Sequence, residues 1–255
     1  MKKNLIVTGG VALLLGSVSA SAGTIAESQK SWHKKYQKQE NAPDPAKMLL
    51  NEDKEPELTS GFVALFNGKD LSGWTSKGGK ASFTAKEGVL VGKAVDGSPS
   101  TYLCTDKVDF SDFVFTCEMK WAVDLNSGVM FRASDRMKGE HVEVFGPQVE
   151  MEGTGKERGW SGGVYGQSCG GYFYPLWLKE HEAARGALKD EGWNRVTVEA
   201  KGKVVKTWVN GVPASHWVGD GTYAKGFFGL QVHKAKKGEV HFRNIRVKEL
   251  KASAK

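Results

Sequence analysis

The segment Gly146-Pro147-Gln148-Val149-Glu150-Met151-Glu152 alternates polar and apolar side chains. With Val149 and Met151 turned to a core, Gln148, Glu150 and Glu152 project from one strand face at a spacing of about 7 Å. Such a row can hold a ligand and exchange protons with it, or it can be an ordinary solvated face. Phe227-Phe228-Gly229-Leu230-Gln231-Val232-His233 repeats the pattern, with Gln231 and His233 opposite Phe228, Leu230 and Val232. Histidine is the side chain that titrates closest to neutral pH. Arg132 closes the run Asn126–Arg132 on the face of Met130. A partly buried guanidinium there needs either a carboxylate partner, Glu150 or Glu143, or an anionic reacting group.

Trp160, Tyr165, Tyr172, Tyr174 and Trp177 are interleaved with Gly159, Gly162, Gly163, Gly166, Gly170 and Gly171. Aromatic rings stack on the apolar faces of sugars, and glycines let a backbone approach a ligand closely; packing into a core is the competing explanation. Double-displacement glycoside hydrolysis needs two carboxyl groups, one of them a nucleophile. The pair four residues apart on the polar row is Gln148 and Glu152, and an amide cannot form a glycosyl ester. That route is disfavoured on this row.

These residues must be positioned by strands. Phe113–Trp121 alternates over its whole length, with Phe113, Phe115, Cys117, Met119 and Trp121 on one face, the period of a half-buried strand. Shorter runs occur at Gly88–Val91, Ser127–Arg132, Val142–Glu152, Arg195–Ala200, Lys203–Val209, Gly226–His233 and Glu239–Leu250. Lys201-Gly202 and Asn210-Gly211 punctuate the later runs, and Asn-Gly is a strong hairpin signal. Leu178–Lys189 alone reads as helix, weakened by Gly186. The pattern predicts an all-β fold, a two-sheet antiparallel jelly-roll sandwich with one short helical insertion, over residues 60–250.

Residues 23–59 are polar and proline-interrupted and predict a tether or poorly ordered arm, with a short amphipathic helix around Ser31–Lys38 as the alternative; residues 251–255 form a tail. Residues 1–22 have the parts of a signal peptide: Lys2 and Lys3, an apolar run from Leu5 to Val18, and Ala20-Ser21-Ala22 before the expected cut. The protein is therefore expected to be exported, to the periplasm or as a secreted chain, with no membrane span after cleavage. Lys+Arg number 36 against 29 acidic residues; loss of Lys2 and Lys3 leaves a mild excess that is spread out, which argues against nucleic acid. Cys104, Cys117 and Cys169 are too few and too scattered for a disulfide framework, and Cys117 belongs to a core face. No Cys/His spacing points to zinc.

The run Phe62–Trp74, with Leu65-Phe66-Asn67-Gly68-Lys69-Asp70-Leu71-Ser72-Gly73-Trp74 at its centre, resembles the start of the 3-keto-disaccharide hydrolase domain family. The likeness continues in order through Asn126-Ser127-Gly128, Gly146–Glu150, Ser161–Gly166, Gly192-Trp193-Asn194, Trp208–Gly211, Gly229–His233 and Phe242–Leu250. Gln167 departs from it, standing where relatives often carry an acidic residue. The resemblance implies a concanavalin A-like jelly roll, a 3-keto sugar as substrate, and a sugar 3-oxidoreductase as the pathway partner that installs the ketone.

A C3 ketone acidifies the proton on C2, so one base can form an enolate that expels the C1 substituent, and water then adds to the enone. On this reading Glu150 or His233 takes the base and acid roles, Arg132 and Gln148 stabilise the enolate oxygen, and Trp160 is the ring platform. Tyr165, Gln167, Trp177 and Gln231 complete the expected substrate contacts. No cofactor is predicted, although a divalent cation could serve in place of Arg132. The alternative from another class is a lectin-like, carbohydrate-binding domain without catalysis.

Overall fold

The computed structural model describes residues 23–153 and 157–251. The expected signal peptide and all but the first residue of the tail lie outside the described residues. Among the described residues no helix is long and apolar enough to cross a membrane.

The strands, in chain order, are β1 (Val63–Ala64), β2 (Trp74–Gly78), β3 (Ser82–Lys86), β4 (Val89–Lys93), β5 (Thr101–Thr105), β6 (Phe113–Val123), β7 (Ser127–Lys138), β8 (His141–Met151), β9 (Val164–Gln167), β10 (Gly171–Tyr174), β11 (Asn194–Lys201), β12 (Val204–Val209), β13 (Val212–Val218), β14 (Phe227–Val232) and β15 (Glu239–Glu249). They form two antiparallel sheets. The first runs β13-β12-β11-β6-β15-β4-β3, with β1 added on β15; the second runs β10-β9-β8-β7-β14-β5-β2. The all-β sandwich read from period-2 alternation is the observed architecture, and the Asn210-Gly211 turn joins β12 to β13 with both residues at positive φ.

Alternation on β6 turns Phe113 and Phe115 inward, where they meet Phe228 of β14 at ring-centroid distances of 4.7 and 4.5 Å. Each is fully buried, a burial worth about 2–3 kcal/mol per ring. Cys117 lies in the same core, as its face predicted, and all three cysteines are free.

Two expectations need correction. The helical insertion is shorter than Leu178–Lys189: a 3-10 turn at Lys179–His181 leads into α2 (Glu182–Arg185), which stops at Gly186. The alternative of a short helix in the arm is the one observed, as α1 (Lys30–Tyr36), and the arm around it is not a loose tether. That segment is docked along much of its length. Ala26 donates its backbone N–H to Trp177 O, Asn51 Nδ2 donates to Thr207 O, and Glu55 pairs with Arg195. The arm has few β-branched residues, yet its polar groups find partners on the sandwich, so composition alone misjudged it.

Candidate active site

The second sheet has one face against the first sheet and one face turned away, and the outward face carries the candidate site. Pairing register sets a row across it. Tyr172 of β10 opposes Tyr165 of β9, Tyr165 opposes Gln148 of β8, and Gln148 opposes Met130 of β7. A second row two residues along the strands runs from Glu150 of β8 past Gly128 of β7 to Gln231 of β14, which opposes Tyr102 of β5. A cleft of about 970 Å³ lies over these rows, at the upper end of the roughly 300–1,000 Å³ typical of small-molecule sites.

The rows are joined by hydrogen bonds. Gln148 Nε2 donates to Glu150 Oε1 at 2.7 Å and to Gln231 Oε1 at 3.2 Å, and Gln231 Nε2 donates to the Tyr102 hydroxyl at 3.1 Å. Asn126 Nδ2, just ahead of β7, holds the other Glu150 oxygen at 3.1 Å. Gln148 reaches across β7 because Gly128 has no side chain: a Cβ there would lie 2.7 Å from Gln148 Nε2 and 2.6 Å from Val149 O. The glycine of Asn126-Ser127-Gly128 thus opens the path that orients the carboxylate.

Glu150 lines the cleft yet is only 4% exposed. Burial is the main reason its carboxyl is pushed up to about 7 from the usual carboxylate range, with the nearby Glu152 adding to the rise and Asn126, Arg158 and Gln148 opposing it. A carboxylate poised there exchanges protons near neutral pH. Tyr102 and Tyr165 are raised, first by burial, so both keep their phenolic protons.

Glu152 is placed differently. Its Oε1 takes the Arg158 guanidinium, with Nε at 2.5 Å, and its Oε2 accepts the backbone N–H of Trp160 at 2.9 Å. Arg158 lies over the rings of Trp160 and Tyr172, with its guanidinium carbon 4.6 and 5.1 Å from their centroids. Both oxygens of Glu152 are thus committed to holding the cation and a backbone turn.

Six of the nine residues given a site role from the sequence meet in the cleft, Gln148, Glu150, Tyr165, Gln167, Gln231 and His233, and Glu152 and Tyr172 line it with them. His233 sits at the rim, just past the end of β14, with Nδ1 3.0 Å from Lys234 O. Three others do not belong to it. Arg132 is turned out of the row: register shifts between Met130 and Ser134, and Arg132 itself has φ of 46°. This bulge breaks the alternation on which its assignment rested. Its guanidinium bonds Ser111 O, Gly202 O, Tyr223 O and Asp112 Oδ1, which makes it a structural ion pair with Asp112 rather than with Glu150 or Glu143.

Trp160 and Trp177 are fully buried and wall no part of the cleft. Trp160 lies beneath Trp32, Tyr36 and Tyr172 and donates Nε1–H to Gln29 Oε1 at 2.7 Å; His33 covers Trp177. Gln148 has its expected place but not its expected role, because its amide N–H groups are spent on Glu150 and Gln231. Its Oε1 is buried without a partner in the described structure, so it offers an acceptor for a ligand hydroxyl. The residues missed are Tyr102, Asn126 and Arg158, with Trp32 and Tyr36 from the arm, while Tyr172 belongs to the aromatic cluster read as sugar-facing. Asn126 stood in a quoted motif; Trp32 and Tyr36 had only an i, i+4 spacing to mark them. Among the described residues no cluster of three His, Cys, Asp or Glu side chains is arranged to hold a metal.

The fold and site thus define a two-sheet sandwich with a polar, aromatic-walled cleft on one outer face. The family model of the 3-keto-alpha-glucoside-1,2-lyase-like domain matches residues 61–248, and the chain belongs to that family. Membership supports a carbohydrate-active function. No curated protein matches the chain. Among solved structures, the chain is similar to a "putative glycosyl hydrolase" from Parabacteroides distasonis, at 19% identity and TM-score 0.53, over 75% of this chain and 94% of that one. It is also similar to a Bacillus subtilis protein of unknown function with a galectin-like fold, at 15% identity and TM-score 0.50, over 72% and 92%. At these identities the likeness establishes the fold.

Proposed function

We propose that the protein is an exported enzyme that cleaves 3-keto-glycosides by elimination across C1 and C2, followed by hydration. The observation that carries this is the contrast between its two buried carboxylates. Hydrolysis by a carboxylate pair needs two working groups. Here Glu152 is bound to a cation, Arg158, and a backbone N–H, while Glu150 is held only by the neutral amides of Gln148 and Asn126 and keeps a proton affinity near neutral. A substrate whose own ketone acidifies C2 needs one base, and the family's description names a 1,2-lyase.

Glu150 takes the C2 proton, and the C–H electrons form the enolate on C2, C3 and the ketone oxygen. Collapse of the enolate makes the C1–C2 double bond and expels the C1 oxygen, which receives a proton from His233 at the rim. Water adds across the enone to release the 3-keto sugar. Arg158, whose charge is felt at Glu150, takes the electrophilic role first given to Arg132, and the Tyr165 hydroxyl supports it. Gln148 and Asn126 position the base. A sugar 3-oxidoreductase would supply the substrate, and the expected signal peptide would place the reaction in the periplasm or outside the cell.

The test is to follow a 3-keto-disaccharide and its unoxidised parent by NMR with the purified protein. Cleavage of the oxidised sugar alone is expected, and Glu150→Gln is expected to lower turnover by about 10³-fold with binding retained. Cleavage of the parent at a comparable rate overturns the mechanism. Binding of both sugars with turnover of neither would make the protein a carbohydrate-binding domain.

A further inference from the structure

The family domain begins at residue 61, but the cleft does not close without the segment before it. Trp32 and Tyr36 are one helical turn apart on α1, so they share a face. Their rings are stacked, with centroids 6.3 Å apart at 16°, and both line the cleft with Gln39. Tyr36 continues edge-on into Tyr172 at 5.2 Å, and Tyr172 into Tyr165 at 4.8 Å. The rings thus form one aromatic wall from the arm to the strand beside Gln148.

The docking is specific. Gln29, 1% exposed, accepts from Trp160 Nε1 and donates to Arg158 O at 3.2 Å. Gln39 Oε1 accepts the Tyr172 backbone N–H at 2.8 Å, and Asn41 Nδ2 donates to Cys169 O at 3.1 Å. The β9–β10 turn is shaped for these two side chains. A Cβ on Gly170 would collide with Asn41 Nδ2, and one on Gly171 would sit 2.3 Å from Gln39 Oε1. The same segment therefore builds a wall and is held in place by partners that have no room for an alternative.

We infer that α1 supplies a sugar-ring subsite, with Trp32 and Tyr36 as its platform for the ring that is not oxidised. This rests on the sugar-cleaving reading above. A disaccharide has one ring over Glu150 and a second ring, which leaves; the cleft's volume of about 970 Å³ and the rings at its arm end suit that second ring. Specificity for the leaving group would then lie in a segment outside the family domain.

The experiment compares wild type, Trp32→Ala and Trp32→Phe on a 3-keto-disaccharide and on a 3-keto-glucoside with a small alkyl leaving group. Binding of the unoxidised disaccharide is measured in parallel by calorimetry. Trp32→Ala should raise KM about tenfold more for the disaccharide than for the alkyl glycoside, and Trp32→Phe should restore most of the difference. Equal losses on both substrates, or no loss on either, overturn the subsite. If the wild type cleaves neither substrate, the cleavage reading fails separately. The subsite then stands if Trp32→Ala weakens calorimetric binding about tenfold and Trp32→Phe recovers it, and falls if the affinities are equal or the wild type does not bind.

Discussion

Two arginines, a buried one on β7 and a half-buried one in the β8–β9 loop, do opposite work. Arg132 spends its donors on three backbone carbonyls and Asp112, at the junction of β7 with the turns of the other sheet. Arg158 is held on one side by Glu152 and meets the Tyr36 hydroxyl at 3.4 Å with Nη1, while its plane is exposed to a cleft walled by aromatic rings. A guanidinium whose donors are spent on backbone carbonyls and a structural carboxylate joins structural elements. One anchored by a single carboxylate and open to a cavity presents charge to a ligand. The carboxylates follow the same division: Glu152 is consumed in holding a cation, and Glu150 is left to titrate.

The largest effect should come from breaking the structural partner. Arg132→Lys removes the forked donors from buried carbonyls and should lower unfolding free energy by roughly 2–4 kcal/mol, read by urea denaturation. The kcat of the folded fraction should be unchanged. Arg158→Lys keeps a charge for Glu152 but loses the planar fork, so kcat should fall about tenfold to a hundredfold while stability changes little. If the two variants exchanged phenotypes, the contrast between the arginines would be reversed.

The pH dependence sharpens the same division. Turnover that needs ionised Glu150 should fall about tenfold per unit below an apparent value near 7. Arg158→Gln removes a charge that lowers this value, so its profile should move to higher pH, whereas Arg132 variants should leave it in place. The linkage to folding has a definite sign. The folded value exceeds the ordinary one of 4.5, so this group's stabilisation is fully present below about 4.5 and is lost as pH rises through about 7. At pH 8 Glu150→Gln should therefore raise stability, by roughly 1–3 kcal/mol. The smallest effect on turnover is expected from Gly128→Ala, whose methyl must displace both the Gln148 amide and the Val149 carbonyl of β8; kcat should fall about threefold to tenfold with little change in KM, and the unfolding free energy should drop by roughly 1–3 kcal/mol as β7 and β8 are pushed apart.

Much of this division was legible wherever strict alternation survives. On β8 and β14, Val149, Met151, Leu230 and Val232 join the hydrophobic core between the sheets, so Gln148, Glu150 and Gln231 had to project from the other face. Arg132 was misassigned because a bulge and a left-handed residue reverse the pattern after Met130, and neither has a glycine to announce it. Trp160 and Trp177 were misassigned because their cover, Trp32, His33 and Tyr36, comes from a segment more than a hundred residues earlier in the chain. Long-range cover of that kind leaves no local periodicity. Arg158 was missed because its partner Glu152 and its rings come together only in the fold.

The most direct test of the central claim, that Glu150 removes a proton from C2 before the C1 bond breaks, is the isotope effect on a 3-keto-disaccharide carrying deuterium at C2. The account predicts a primary effect of about threefold or more on kcat/KM at a pH above 7, and solvent protons at C2 of the product. Cleavage at equal rates for both isotopologues, with deuterium fully retained in the product, would contradict it.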